Sequence, residues 1–120
     1  MGYFDDVVRI DFEIGGFFRG FKTYTINFKT KQACLYERIK DKYTKTKDLS
    51  DEKIKKIKNK LEKFDIENWE DSYVEPEICD GEEWGLDILF KSKIKRKIYG
   101  HMRYPDNFDK VENFFKNIIK

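Results

Sequence analysis

Along VVRIDFEI, Val8, Ile10, Phe12 and Ile14 alternate with Arg9, Asp11 and Glu13, a period of two that predicts a strand with one buried face. Gly15 and Gly16 close it. TYTINF repeats the pattern, with Tyr24, Ile26 and Phe28 against Thr23, Thr25 and Asn27. The intervening FFRGF fits either a tight turn or a bulged, longer loop, because Gly15, Gly16 and Gly20 permit both. After the polar turn KTKQ, ACLYERI sets Leu35, Glu37 and Ile39 against Cys34, Tyr36 and Arg38, a third strand.

The period then changes. Ile54, Ile57, Leu61 and Phe64 recur at spacings of three and four, predicting a helix over 50–64. Ser50 stands at its cap, Leu49 and Ile54 at the positions of a hydrophobic staple, and Asp51 and Glu52 at the positive end of the helix dipole. Period two returns with Trp84, Leu86, Ile88 and Phe90. KSKIKRK then holds a turn, and Ile98, Gly100 and Met102 share one face of the return strand. Pro105 opens a second helix, with Asp106 and Asp109 near its start and a broad stripe of Phe108, Val111, Phe115 and Ile118, widened by Phe114 and Ile119.

The predicted order is three strands, a helix, two strands and a helix. That order implies one α+β domain over residues 1–120, a mainly antiparallel sheet of about five strands with both helices on one face. A chain of 120 residues suits a single core. Charged residues make up 40% of it and mean hydropathy is −0.80, values that alone suggest disorder, but 17% aromatic content argues for a folded chain. No residue pattern recurs between the two halves.

Net charge is only +2, so the chain as a whole has no strong bias towards DNA, membranes or acidic ligands. Its distribution is uneven. Residues 29–60 hold twelve Lys or Arg against five acids, residues 62–83 hold ten acids against one Lys, and residues 91–104 hold six bases and no acid. The start, MGYFDD, lacks a basic region and an apolar run, and Asp6 occupies the place where myristoylation prefers Ser or Thr. A cytoplasmic protein without membrane attachment is expected. Cys34 and Cys79 form no CxxC and are read as reduced, structural thiols.

The spacing W69-x3-Y73, D80-G81-x2-W84 and G100-x3-Y104-P105-x2-F108 resembles a pattern in small uncharacterised proteins of Firmicutes and Bacteroidetes. The resemblance implies a shared fold and a bacterial lineage, with no activity attached. Where that pattern often reads Gly-x-Asn-x-Tyr-Pro, this chain has Met102 at the Asn position.

Chemistry is sparse. His101 is the only histidine, too little base for a Ser or Cys nucleophile, and with two scattered cysteines it makes a poor zinc set. Placing Asp80-Gly81 as the fifth and sixth positions of a calcium loop puts Pro76 and Ile78 where ligands belong. There is no glycine-rich phosphate loop. Neither cofactor nor metal is therefore expected.

Three functions remain. The first is a non-catalytic protein-binding module, of the inhibitor or accessory kind, using the acidic aromatic segment: Trp69 and Tyr73, four apart on one helix face, as anchors, ringed by Glu70, Asp71, Glu75 and Glu77 to meet a basic partner. The second is nucleic-acid binding through Lys53, Lys56 and Lys60 of the helix and Lys93, Lys95, Arg96 and Lys97 of the hairpin tip 91–97, with Tyr36 or Tyr99 stacking on bases. The third is an enzyme using Glu75, Glu77 and Asp80 as acid and base.

Overall fold

The computed structural model describes residues 2–16, 20–77 and 80–120. Seven strands form one sheet: β1 (Val7–Gly16), β2 (Gly20–Asn27), β3 (Gln32–Glu37), β4 (Lys42–Asp48), β5 (Ser72–Val74), β6 (Glu83–Phe90) and β7 (Lys95–His101). Helix α1 (Asp51–Lys63) follows β4, and α2 (Phe108–Ile118) ends the fold. The spatial order is β4-β3-β2-β1-β6-β7-β5, antiparallel throughout except where β5 runs parallel to β7. The class is α+β, and the sheet is two strands wider than its hydrophobic pattern suggests.

Alternation decides which face is buried. Ile10, Phe12 and Ile14 of β1, Tyr24 and Ile26 of β2, and Trp84, Leu86 and Ile88 of β6 are all under 9% exposed. Against them lie Ile57 and Leu61 of α1 and Phe108, Val111, Phe115 and Ile118 of α2. The ring of Phe12 stacks on Phe115 at 5.1 Å and meets Phe108 at 5.8 Å. Phe64, at the end of α1, meets Phe114 of α2 edge-on at 5.4 Å, so both helices share this face. The opposite face carries the polar set of each strand.

Several local expectations need correction. At the start of β1 the register shifts between Val7 and Arg9, a bulge that turns Val7 into the core and leaves Val8 half-buried. β3 stops at Glu37, and the next residues form a one-turn 3-10 helix, Arg38–Lys40, which leaves Ile39 73% exposed. Residues 105–107 form a turn, with Phe108 N–H donating to the Pro105 carbonyl, and α2 begins at Phe108. Met102 lies past the end of β7 at φ +58° and is exposed instead of sharing the face of Ile98. The turn-or-loop question at FFRGF concerns residues 17–19, outside the described residues.

Other readings hold. Ser50 is the N-cap of α1, its hydroxyl accepting from Lys53 N–H at 3.1 Å, and Leu49 and Ile54 both pack on the core. β6 and β7 form the hairpin, with residues 91–94 as its connection.

Candidate sites on the two faces of the sheet

The acidic aromatic segment does not form a helix over Trp69 and Tyr73. A one-turn 3-10 helix, Ile66–Asn68, leads through Trp69 in extended conformation into β5, so spacing by four no longer puts the two rings side by side. Each turns instead toward Trp84, which is 1% exposed. Trp69 meets it edge-on at 6.0 Å and Tyr73 at 5.8 Å, while Tyr104 stacks on it at 6.4 Å and Phe108 approaches to 4.8 Å. Gly100 completes the nest, since a Cβ there would lie 1.9 Å from Trp84 Nε1. The Trp, Tyr and Phe positions of the sequence pattern, with Gly100, are thus one packing cluster around a single indole.

Arg96 ties the same segment down. From the helix-side face of β7 its guanidinium donates to the carbonyls of Ile66 at 2.8 Å and Glu67 at 3.0 Å, to that of Trp69, and to Asp71. Its side chain is only 17% exposed, so it is spent inside the protein and is withdrawn from the expected basic tip. Glu70, Asp71 and Glu77 remain exposed and Glu75 half-exposed, an acidic rim without exposed aromatic anchors. Asp80 is exposed as well.

The remaining tip cations separate. Lys93 sits in the hairpin connection at φ +72°, and Lys95 and Lys97 alternate with Arg96 onto the open face of the sheet, away from the helices. That face is built in rows fixed by strand register. One row runs Thr25, Asp11, Asp87, Lys97, and its neighbour runs Tyr36, Thr23, Glu13, Gly85, Tyr99. Tyr36 and Tyr99 are four strand spacings apart, roughly 19 Å, with a carboxylate between them.

A depression of about 600 Å³ lies over Gly85. Its carboxylates are mostly engaged: Asp11 accepts from Arg9 and Thr25, Glu13 from Thr23 and Arg38, and Glu83 from the Tyr99 hydroxyl at 2.6 Å. Asp87 has no such donor among the described residues. Burial, opposed by Lys97 and reinforced by Asp11, pushes its carboxyl above the ordinary aspartate range. Arg9, Arg38 and Lys97 line the depression beside Asp11, Glu13, Glu83 and Asp87, so its charges nearly cancel.

The helix layer is different. Between α1 and α2 lies a groove of about 490 Å³. Lys53, Lys56 and Lys60 form one wall and Lys110, Asn113 and Asn117 the other; each set follows the i, i+3, i+7 spacing of a single helix face. Ile57, Phe64, Phe114 and Ile118 make the floor. Lys53, Lys60 and Lys110 have no ion pair among the described residues, while Lys56 has only a 3.9 Å contact to exposed Glu52. The three lysines singled out on α1 therefore line one groove, opposite α2 and apart from the hairpin tip. Sequence periodicity gives each helix's own stripe; the pairing of the two stripes is a tertiary fact.

His101 ends β7 half-buried, and its carbonyl accepts from Glu75 N–H. Cys34 is a half-buried free thiol whose pKa burial raises, and Cys79 lies outside the described residues. Among the described residues no three His, Cys, Asp or Glu side chains are arranged to hold a metal ion, and no helix is long and apolar enough to cross a membrane.

No curated protein and no solved structure gives a significant match to the chain. A family model described as a domain of unknown function, DUF6438, matches residues 10–119, from the central strand through the last helix, and the chain belongs to that family.

Proposed function

We propose that the protein is a non-catalytic protein-binding module whose docking surface is the groove between α1 and α2. The observation that carries this reading is the groove itself, in which Lys53, Lys60 and Lys110, without ion pairs among the described residues, stand above an apolar floor. Lysines over such a floor offer a partner side chain both burial and steering, the combination by which small interfaces gain affinity and on-rate. Elsewhere several chemically interesting groups are occupied within the fold. Arg96 serves the loop, Trp69 and Tyr73 serve the Trp84 cluster, and Asp11, Glu13 and Glu83 serve the cross-strand lattice.

Tagged protein and its K53E/K60E variant, purified at low salt from expressing cells with and without nuclease, test the reading. A protein partner that survives nuclease and is lost from the variant is the expected result. Bound material lost only with nuclease would replace it by nucleic-acid binding. Equal recovery on both baits would move the docking surface elsewhere.

The acidic rim gives a second reading, favoured by the exposure of Glu70 and Glu77 on the segment that Arg96 ties down at residues 66–71. A basic partner would dock there, and reversing Glu70, Glu75 and Glu77 to Lys would abolish its recovery while leaving the groove intact.

A further inference from the structure

We infer that the occupant of the α1–α2 groove is an acidic amphipathic helix of a partner protein. The inference rests on the binding-module reading and adds the chemistry of what binds. Three features of the groove select it.

The first is the spacing of charge. Lys53, Lys56 and Lys60 rise along α1 by about 4.5 and 6 Å in succession, from 1.5 Å per residue. Acids at i, i+3 and i+7 of a helix lying in the groove parallel to α1 repeat at the same intervals, so three pairs form in one register. Each lysine is exposed, and the contacts of Lys56 with Glu52 at 3.9 Å and of Lys60 with the Phe64 ring at 5.9 Å are long enough to yield to such a partner.

The second is asymmetry between the walls. Opposite the lysines, α2 offers one cation, Lys110, and then two amides, Asn113 and Asn117. A nucleic-acid strand would meet phosphate-binding charge along one wall only. Two of the remaining tip cations, Lys95 and Lys97, cannot extend that track, because they lie on the opposite face of the sheet. A polar helix flank, by contrast, is well matched by amides that both donate and accept.

The third is the floor. Phe114 is half-buried and stands edge-on to both Phe64 and Phe115, leaving part of an aromatic surface open between the two walls. An apolar stripe beside the acidic one on the incoming helix would cover it. Helix-in-groove recognition uses this pairing of apolar anchors with flanking charge.

The probe is a labelled, end-capped peptide of about 18 residues, long enough to hold a helix, with Glu at i, i+3 and i+7 and Leu on the adjoining stripe. Fluorescence anisotropy would compare it with a scrambled peptide of equal composition and with a single-stranded oligonucleotide of equal length. Two variants remove equal charge from the same helix: K53A/K60A inside the groove, and K55A/K63A outside it.

Expected are saturable binding of the patterned peptide, weaker binding of the scrambled one, and an affinity loss of about tenfold or more for K53A/K60A but under about twofold for K55A/K63A. Equal losses for the two variants, indifference to the scramble, or tighter binding of the oligonucleotide would overturn the inference. A photo-crosslinker at position 113 in expressing cells separates this from failure of the module itself. A partner captured there through a segment without acids refutes the acidic occupant and leaves the module standing. With no capture and no peptide binding, both readings fall.

Discussion

Trp69 and Asn107, 38 residues apart, are joined by a 3.1 Å hydrogen bond from the indole Nε1–H to the amide oxygen. The other half of the same amide donates to the Phe64 carbonyl at 2.7 Å. Asn107 is the N-cap of α2, yet it makes no side-chain capping bond there. It spends the group that usually caps a helix on holding the end of α1, the acidic loop and the start of α2 in one place. The two walls of the groove are thereby fixed relative to each other at one end.

Asn107→Ala removes two part-buried hydrogen bonds, and a loss of about 2 kcal/mol is expected. Asn107→Asp keeps the acceptor for Trp69 but sets a carboxylate oxygen against the Phe64 carbonyl, so at pH 7 its loss should be no smaller than that of Asn107→Ala. Urea denaturation of the two variants checks the order; a clearly more stable Asn107→Asp would mean that the bond to Phe64 contributes little.

Gly100 and Gly85 make a controlled contrast on neighbouring strands. A Cβ on Gly100 would come within 1.9 Å of Trp84 Nε1, and that indole is held by its own bond to the Arg103 carbonyl at 2.9 Å. A Cβ on Gly85 would meet only the Ile98 carbonyl, at 3.7 Å. Gly100→Ala is therefore expected to cost about 3 kcal/mol through overpacking and to shift tryptophan emission to the red. Gly85→Ala should change stability by under about 1 kcal/mol. Denaturation midpoints together with emission spectra separate the two cases.

Most of the fold is legible as periodicity. β1, β2 and β6 alternate plainly because one face of each is buried, and α1 and α2 carry stripes because each has one buried side. The two overlooked strands lack that signal for opposite reasons. β4, KYTKTKD, is an edge strand exposed at nearly every position, so no apolar set marks either face; its lysines suit an edge that must not recruit another chain. β5 is three residues long, too short for alternation to show, and Trp69 and Tyr73 at helical spacing mimic a helix there. Of the candidate sites, the lysine face of α1 can be read directly. That Arg96 belongs to the interior cannot, because the carbonyls it serves lie some thirty residues earlier and are backbone atoms without a letter in the sequence.

Arg96 predicts a sharp failure of the conservative substitution. Lysine keeps the charge but not the planar fork that reaches several carbonyls at once. Arg96→Lys should lose about 3 kcal/mol as part-buried carbonyls of residues 66–69 go unmet, with faster proteolysis in the 66–77 segment. Asp71, 80% exposed in its pair with Arg96, should matter little, and Asp71→Ala is expected to cost under about 0.5 kcal/mol. Limited proteolysis and denaturation of both variants test this; a harmless Arg96→Lys would reduce the guanidinium to a surface charge.

Asp87 places a pH-dependent weakness in the sheet. It stands opposite Asp11 on β1 and Lys97 on β7, with Glu13 and Lys95 nearby, and burial outweighs the lysines in raising its pKa. The folded state then holds the Asp87 proton more tightly than the unfolded chain does. The Asp87 contribution to stability falls as pH rises from the ordinary aspartate range through the raised value, and it stays lower above it. Asp87→Asn removes the charge that causes this without emptying the position. At pH 7 the variant is expected to be more stable than the parent by about 0.5 kcal/mol, the scale of a like-charged cross-strand pair. Below the ordinary aspartate range the two proteins should converge, since both then carry a neutral group at position 87. Urea denaturation from pH 3 to pH 8 measures the difference directly. A variant less stable than the parent at neutral pH would show that the attraction of Lys97 for the carboxylate exceeds the combined cost of burial and of facing Asp11.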